Sequence, residues 1–182
     1  MARGIETKCL HLEEEEWGCN HYGAISYPIY QTATYAHLGL GKSTGYDYSR
    51  LQNPTREHLE KIVASLENGI DALAFSSGMA AITLMMELFH PGDHLIVDAD
   101  LYGGSIRLFN NVSQKNGITF SSIDCHKEDV ESYINENTKA VYIETNTNTM
   151  MNVTDIETLA QITKKHKLLL IVDNTFLSPY FQ

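Results

Sequence analysis

The sequence has little positive charge, little cysteine and no long apolar run. Its 182 residues include 13 Lys and Arg against 23 Asp and Glu, which gives a net charge of −10. An acidic chain of this kind is not expected to bind nucleic acid or an anionic membrane. The longest aliphatic run covers residues 168–172, which is far shorter than the ~20 residues of a membrane span. The N-terminus also lacks the apolar core of a secretion signal.

The cysteines and histidines form no recognisable pattern. The three cysteines are scattered without a CxxC pair, at Cys9, Cys19 and Cys125. An odd, scattered set favours reduced thiols and a cytoplasmic protein over a disulfide framework. The eight histidines show no metal-binding spacing, because Pro91 and Gly92 prevent a helix between His90 and His94. We therefore expect no metal site.

A nucleotide-binding loop is the weakest candidate site. Residues 39–43 (GLGKS) resemble the end of a GxxxxGK[ST] phosphate loop, but Ala36 stands at the first glycine position. The following residues, 44–46 (TGY), do not begin a helix as such a loop requires. No GxGxxG follows a predicted strand either, so the dinucleotide fingerprint is absent. We interpret residues 39–43 as a flexible glycine loop.

Residues 1–52 and 53–182 differ in pattern, and we predict an arm followed by the main domain. The arm holds the acidic run 13–16 and six tyrosines with little helical periodicity: Tyr22, Tyr27, Tyr30, Tyr35, Tyr46 and Tyr48. Such a segment either packs against the main body or another subunit, or is an ordinary surface arm. From residue 53 onwards, apolar residues recur at helix and strand spacing.

Helices alternate with short apolar strands after residue 52. Asn53 and Pro54 predict a helix start, and Gly69 predicts its end. Thr154 and Glu157 predict a capping box that opens the last helix. The other predicted helices lie around residues 82–89, 105–116 and 130–134, and the predicted strands cover residues 72–75, 94–98, 118–123, 140–144 and 168–172. Continuously apolar strands are typical of a parallel sheet covered on both faces, so we predict a doubly wound α/β fold with residues 168–172 as the most buried strand.

Polar and aromatic groups follow the ends of several predicted strands. Residues 76–79 (SSGM) could bind a phosphate at a helix N-terminus or form a plain serine cap. A buried Asp173 carboxylate would need a charged or hydrogen-bonding partner, and Asn174 and Thr175 could orient it. Alternatively, Asp173 caps a helix. Tyr102 and Asn148 follow two other predicted strands and could contribute an aromatic ring and an amide to a site. Alternatively, Tyr102 is a tyrosine at the edge of a loop and Asn148 is a turn asparagine. Because open α/β sheets bind ligands at the carboxyl ends of their strands, these groups together suit a phosphorylated aromatic cofactor.

Four segments in order resemble the Cys/Met metabolism family of pyridoxal-phosphate enzymes: YSRLQNPTREHLE, SSGMAAI, DLYGGSIRLF and IVDNTFLSP. The resemblance covers nearly the whole chain and points to the transsulfuration group, which includes cystathionine gamma-synthase, the gamma- and beta-lyases, methionine gamma-lyase and the acylhomoserine sulfhydrylases. It implies a large domain of the aspartate-aminotransferase-like fold (fold type I), with a mostly parallel sheet and flanking helices. It also implies pyridoxal 5'-phosphate as cofactor, an amino-acid substrate and a homo-oligomer built as a dimer of dimers.

The resemblance assigns most of the cofactor site to individual residues. Tyr48 and Arg50 correspond to a pair that reaches the cofactor phosphate from a neighbouring subunit. Tyr102 corresponds to the ring stacked on the cofactor, with a part in proton transfer. Asp173 corresponds to the carboxylate that keeps the pyridine nitrogen protonated. The phosphate itself is expected on the residues of the SSGM segment: Ser77, Gly78 and Met79.

Further contacts are implied for four residues. Asn148 corresponds to an amide near the phenolic oxygen of the cofactor, and Thr175 adjoins the cofactor beside Asp173. Asp47 and Arg107 correspond to contacts with the distal end of the substrate, where an arginine can bind a carboxylate with two hydrogen bonds. Alternatively, Arg107 is a charged residue on the solvent-exposed face of a helix.

Two departures from the family pattern affect the expected site. The family reads Glu-Ser/Thr-Pro-x-Asn-Pro after this strand, whereas residues 144–149 read ETNTNT, so the loop around Asn148 is expected to be less rigid. The Schiff-base lysine of the family lies in a Ser-x-Thr-Lys segment beyond DNTF, and this chain ends before it. We therefore expect the N-terminal portion of a longer enzyme, or one piece of a divided chain, which is inactive alone.

The expected activity is gamma-replacement or gamma-elimination on cystathionine, an O-acylhomoserine or a related sulfur amino acid. Gly104 stands where methionine gamma-lyases carry cysteine, so the gamma-synthase or gamma-lyase branch is favoured, followed by O-acetylhomoserine sulfhydrylase. The missing lysine leaves a different class open, a catalytically silent domain that associates with other subunits. A nucleotide-binding protein is the third hypothesis, and it depends on the GKS of residues 41–43 alone.

Overall fold

The computed structural model describes residues 4–12, 22 and 24–181, and the chain divides into two compact units, Met1–Ala74 and Phe75–Gln182. The acidic run at residues 13–16 and Cys19 lie outside the described residues. Cys9 and Cys125 are both free, the first exposed and the second buried. In the described ranges, no helix combines the length and apolar character needed to cross a bilayer.

The first unit is built around helix α2 (Pro54–Leu66) and also contains the short helix α1 (Ile5–Lys8). Asn53 caps α2 as predicted, because its side chain accepts a hydrogen bond of 2.9 Å from the Thr55 amide. Proline at the first helical position needs no amide partner there. Residues 24–53 are mostly irregular backbone, with an antiparallel bridge between Thr34 and Tyr48.

Four parallel strands form the sheet of the second unit, in the spatial order β2-β1-β3-β4. Their bounds are β1 His94–Asp98, β2 Thr119–Ile123, β3 Thr138–Glu144 and β4 Leu169–Asp173. The order reverses between β1 and β3, so right-handed connections place helices on opposite faces of the sheet. The prediction of a doubly wound, parallel α/β fold is confirmed.

Helices cover both faces of the sheet and enclose two apolar clusters. Their bounds are α3 Gly78–Met86, α4 Gly103–Leu108, α5 Ile156–His166 and α6 Ser178–Phe181, with a short 3-10 helix at Val130–Tyr133. On one face, Leu95 and Val97 of β1 join Met86 at the end of α3. On the other face, Ile96 joins Leu159 of α5. This division follows from the alternation of side chains along a strand.

Two predicted strands differ from the structure. Residues 72–75 are not a strand: they join no ladder, and Leu73 and Phe75 are 66% and 41% exposed. An apolar run becomes a strand only where a neighbouring strand accepts its hydrogen bonds. The prediction that residues 168–172 form the most buried strand is also wrong, because β4 lies at an edge and Leu169 is 50% exposed.

Two helices also differ in detail. The helix predicted at residues 105–116 begins at Gly103 and continues after Leu108 as a π-helical turn, Phe109–Ser113. In this turn the Gln114 amide donates to the carbonyl of Phe109, five residues earlier. The last helix, α5, is capped by Asp155 and not by Thr154, since the Asp155 carboxylate accepts the Thr158 amide at 3.1 Å.

Candidate functional site

The carboxyl ends of β3 and β4 and the segment after β1 meet the start of α3 at a cavity of about 340 Å³, called here the strand-end cavity. Seven of the predicted site residues line it: Ser77, Gly78, Met79, Tyr102, Asn148, Asp173 and Thr175. The sheet reverses its order beside this edge, where open α/β folds place ligands. A larger cavity of about 800 Å³ lies in the first unit and is lined by none of the predicted site residues.

The N-terminus of α3 forms one wall of the strand-end cavity. Ser77 caps the helix, and its side chain accepts a hydrogen bond of 3.2 Å from the Ala80 amide. The next two amides, of Gly78 and Met79, have no acceptor among the described residues. A Cβ at Gly78 would meet open space, so the backbone here is open to a ligand. Unpaired amides and the positive end of a helix favour an anion such as a phosphate.

Asp173 provides a carboxylate at the end of β4. Its Oδ2 accepts a hydrogen bond of 3.3 Å from the Tyr142 hydroxyl, and its Oδ1 accepts the Thr175 amide at 3.1 Å and the Thr175 hydroxyl. Burial, together with the charge of Asp173, raises the pKa of Tyr142, so that hydroxyl keeps its proton and remains a donor. Asn174 instead accepts the Thr145 hydroxyl at 2.7 Å. Tyr142 and Thr175 therefore hold the Asp173 carboxylate in one orientation.

The Tyr102 ring lies at the start of α4 and is 44% exposed. It packs so close to Gly104 that a Cβ there would lie 2.9 Å from Cδ1 of the ring and 2.8 Å from Sδ of Met79. Any side chain at position 104 would therefore have to displace the ring or the methionine. Glycine at this position allows the aromatic ring to lie beside the start of α3.

Two carboxylates that we did not predict as site residues hold the loop after β3. Asp100 accepts hydrogen bonds from the Thr147 hydroxyl and from the amides of Thr149 (3.0 Å) and Met150 (2.9 Å). Glu144 accepts the Asn148 amide at 3.1 Å. The loop that lacks the two family prolines is thus constrained by hydrogen bonds. The only sequence signal for Glu144 is an acidic residue at the end of an apolar strand, a pattern that is also typical of a surface loop.

Four predicted site residues do not line the strand-end cavity. Arg107 is exposed on α4, and the other three belong to the first unit. The Arg50 guanidinium lies over the Tyr48 ring, 5.4 Å from its centroid. Asp47 accepts hydrogen bonds from Ser43 (2.9 Å) and pairs with His37 (2.6 Å), and these contacts lower its pKa. The roles assigned to these four residues remain predictions.

None of the nine lysines of the chain lines the strand-end cavity. Lys42 and Lys61 belong to the first unit, and Lys139 lies within β3. Lys164 and Lys165 lie in the last turn of α5, and Lys167 follows it.

Comparison with known proteins agrees with this architecture. The sequence model of the Cys/Met metabolism PLP-dependent enzymes matches residues 6–182. The chain is 51% identical to cystathionine gamma-synthase/O-acetylhomoserine (thiol)-lyase of Bacillus subtilis (strain 168), over 100% of this chain and 48% of that protein. It is 52% identical to cystathionine gamma-lyase of the same organism, over 98% of this chain and 47% of that protein.

Solved structures agree as well. Cystathionine gamma-lyase from Lactobacillus plantarum, complexed with L-serine, superposes with a TM-score of 0.86 at 42% identity, over 98% of this chain and 46% of that one. A putative O-acetylhomoserine (thiol)-lyase from Campylobacter jejuni, which contains N'-pyridoxyl-lysine-5'-monophosphate, has a TM-score of 0.87 at 32% identity, with the same coverage of 98% and 46%. The chain thus spans about half the length of the relatives it matches. Since the family model covers almost all of it, the chain belongs to the Cys/Met metabolism family of PLP-dependent enzymes.

Proposed function

We propose that the strand-end cavity is part of the pyridoxal 5'-phosphate site of a transsulfuration enzyme. The reaction would be gamma-replacement or gamma-elimination on cystathionine, an O-acylhomoserine or a related sulfur amino acid. One observation carries the proposal: a single cavity is lined by the open amides at the start of α3, the Tyr102 ring and the oriented carboxylate of Asp173. Because the chain spans about half of its relatives, the activity is proposed for the protein that carries this chain.

The residues present fit the cofactor. The cavity volume of about 340 Å³ lies within the ~300–1,000 Å³ of small-molecule sites. Met79, Ile82 and Phe176 give it apolar walls that suit an aromatic ring. An anion-binding helix terminus and a carboxylate in the same cavity match a ligand with a phosphate and a protonated ring nitrogen. When bound, the cofactor supplies an electron sink for the carbanion that the reaction requires.

Each residue of the cavity would have its own role toward the cofactor. The amides of Gly78 and Met79 hold the phosphate, with Ser77 beside them. The Asp173 carboxylate, oriented by Tyr142 and Thr175, keeps the proton on the ring nitrogen. Tyr102 would stack on the ring and take part in proton transfer, and Asn148 would bind near the phenolic oxygen.

The remaining contacts belong to the same proposal. Tyr48 and Arg50 would reach the phosphate from a neighbouring subunit of a homo-oligomer, a dimer of dimers. Asp47 and Arg107 would contact the distal end of the amino-acid substrate. Gly104, which stands where methionine gamma-lyases carry cysteine, favours the gamma-synthase or gamma-lyase branch, and the close approach of the Tyr102 ring agrees with glycine at this position.

One observation favours a second candidate, a catalytically silent domain. None of the nine lysines lines the cavity, and a lysine amine held in the site is the nucleophile that covalent chemistry with this cofactor requires. Such a domain would bind the cofactor or associate with other subunits without turnover.

The experiment uses the protein that carries this chain. Binding of pyridoxal 5'-phosphate is titrated by absorbance, and two reactions are assayed, the formation of cystathionine from O-acylhomoserine and cysteine, and the release of thiol from cystathionine. We expect binding and at least one activity. Asp173→Asn should reduce kcat/KM about tenfold or more, since a hydrogen bond to a charged group contributes ~1.5–3 kcal/mol. Glu136→Gln, at an exposed position, is the matched control.

The outcomes separate the candidates. Binding without either activity favours the silent domain. No binding of the cofactor overturns both. Full activity in Asp173→Asn removes that carboxylate from the mechanism.

A further inference from the structure

Glu144 is a buried carboxylate in the wall of the strand-end cavity, and none of the roles above includes it. It is the last residue of β3 and only 4% exposed. It lies on the same face of the sheet as Tyr142, two residues earlier along the strand. Burying an acidic side chain in this way costs free energy unless hydrogen bonds compensate for the lost hydration.

The two carboxylate oxygens of Glu144 bind different segments of the chain. Oε1 accepts the Tyr102 amide at 2.6 Å, at the start of α4, and Oε2 accepts the Asn148 amide at 3.1 Å, in the loop after β3. Among the described residues, neither amide has another acceptor. One side chain therefore connects two loops that follow different strands.

The residues at the far ends of these hydrogen bonds are Tyr102 and Asn148, and both line the cavity. The bond to the Tyr102 amide fixes the backbone from which the ring projects. The bond to the Asn148 amide fixes a loop that lacks proline at the family positions. Asp100 holds Thr147, Thr149 and Met150 of this loop, whereas Glu144 holds Asn148, which lines the cavity.

Electrostatics agree with this geometry. The pKa of Glu144 lies above its ordinary value, chiefly because of burial; the amides of Tyr102 and Asn148 lower it, and the negative charges of Asp173 and Asp100 raise it. The two amide hydrogen bonds are thus the contacts that favour a charged acceptor at this position.

We propose that Glu144 is a positioning residue of the site, whose two oxygens set the backbone at Tyr102 and Asn148 and thereby place the ring and the amide against the ligand. The identity of that ligand rests on the proposed function, but the two hydrogen bonds do not. Glu144 acts through the other two residues and needs no contact with the reacting atoms.

The test is residue-resolved amide exchange by NMR, first without cofactor. Glu144→Gln keeps the side-chain size but has one acceptor oxygen, so the amide of Tyr102 or of Asn148 should exchange tenfold faster or more. The amides of Ile96 and Val97 in the central strand β1 should not change, and they report global unfolding. Glu136→Gln, an exposed glutamate, should leave all four amides unchanged. Equal acceleration at all four amides in Glu144→Gln would indicate general destabilisation and overturn the proposal.

A second measurement needs no variant and remains decisive if Glu144→Gln does not fold. In the wild-type protein, NMR couplings across hydrogen bonds should connect the Tyr102 and Asn148 amide nitrogens to the carboxyl carbon of Glu144. The backbone couplings between β1 and β3 are the internal standard. If the β1–β3 couplings are observed and the couplings to Glu144 are not, the proposal is overturned.

The last readout uses bound pyridoxal 5'-phosphate. In Glu144→Gln the induced circular dichroism of the cofactor should fall at least twofold and kcat should fall more than KM rises, because the ring and amide are misplaced while the phosphate site is intact. If the wild type binds no cofactor, the proposed function fails while the exchange result stands. If the wild type binds it and the variant matches the wild type in dichroism and kcat, the positioning role is wrong.

Discussion

Asp98 shows how a single buried acid can reduce stability. It ends β1 and is 4% exposed. Its Oδ1 accepts the Asp100 amide at 3.0 Å, while its Oδ2 has no partner among the described residues. Burial raises the pKa of Asp98 above its ordinary value of 3.8, and the charges of Asp124 and Asp100 also raise it. The folded protein therefore holds this proton to a higher pH than the unfolded chain, and stability falls as pH rises from about 4 through the raised pKa.

Asp98→Asn should remove this pH dependence. The amide oxygen of asparagine can still accept the Asp100 amide, and no charge is buried. The side-chain NH2 of the variant also lacks a partner in the described part of the chain, so the gain comes only from removing the buried charge. We expect the variant to gain stability relative to the wild type as pH rises, by up to about 1.4 kcal/mol for each unit by which the pKa of Asp98 is raised. Urea unfolding at several pH values between 4 and 8 measures the difference. Asp71→Asn, at an exposed position in the first unit, should keep the wild-type slope, and an unchanged slope in Asp98→Asn would contradict the argument.

The cap of α5 is an element-scale case in which two overlapping patterns compete. Thr154 and Glu157 fit the capping-box spacing, but Asp155 and Thr158 have the same spacing one residue later. The structure uses the second pair: Asp155 accepts both the amide (3.1 Å) and the hydroxyl (2.7 Å) of Thr158. A carboxylate at the positive end of a helix adds to this preference. Thr154 is buried, and within the described residues its hydroxyl has no partner.

Two substitutions distinguish these caps. Asp155→Ala should lower the free energy of unfolding by about 1 kcal/mol, the usual contribution of a helix N-cap. Thr154→Val removes an unsatisfied buried hydroxyl and keeps the shape, so it should be neutral or stabilising. Chemical denaturation of both variants measures the two changes. The opposite ranking would restore Thr154 as the cap.

The reliability of the sequence predictions depends on how local their physical cause is. The run HLIVD predicted β1 to the residue, because buried parallel strands are apolar on both faces. The bounds predicted for β2 and β3 were correct to within two residues. Asn53 and Pro54 predicted the start of α2 for a similarly local reason. The run at residues 72–75 failed because a strand also needs a partner, which the segment itself does not specify. The acceptor role of Glu144 was missed because its donors, Tyr102 and Asn148, come together only in the fold.

At the scale of the whole molecule, the predicted site residues fall into two groups. Those of the second unit other than Arg107 line one cavity. Tyr48 and Arg50 belong to the first unit, where the guanidinium lies 5.4 Å from the ring centroid. Such a pair presents a positive charge beside an aromatic ring, which suits contact with a phosphate. The proposed role of this pair requires a neighbouring subunit, and that requirement leads to a test.

Subunit mixing tests the proposed shared site in the protein that carries this chain. Arg50→Ala and Asp173→Asn should each reduce activity strongly, since each removes a charge from every site. If Arg50 acts across a two-fold interface, a mixed dimer contains one site with both residues intact and one with neither. Random mixing in equal amounts then makes half of the dimers mixed, so activity should recover to about a quarter of the wild-type value. The control is Arg50→Ala mixed with the double variant Arg50→Ala/Asp173→Asn, which cannot form an intact site and should recover nothing. No recovery in the first mixture, with hybrid dimers verified by native mass spectrometry, would mean that Arg50 does not complete a site of its neighbour.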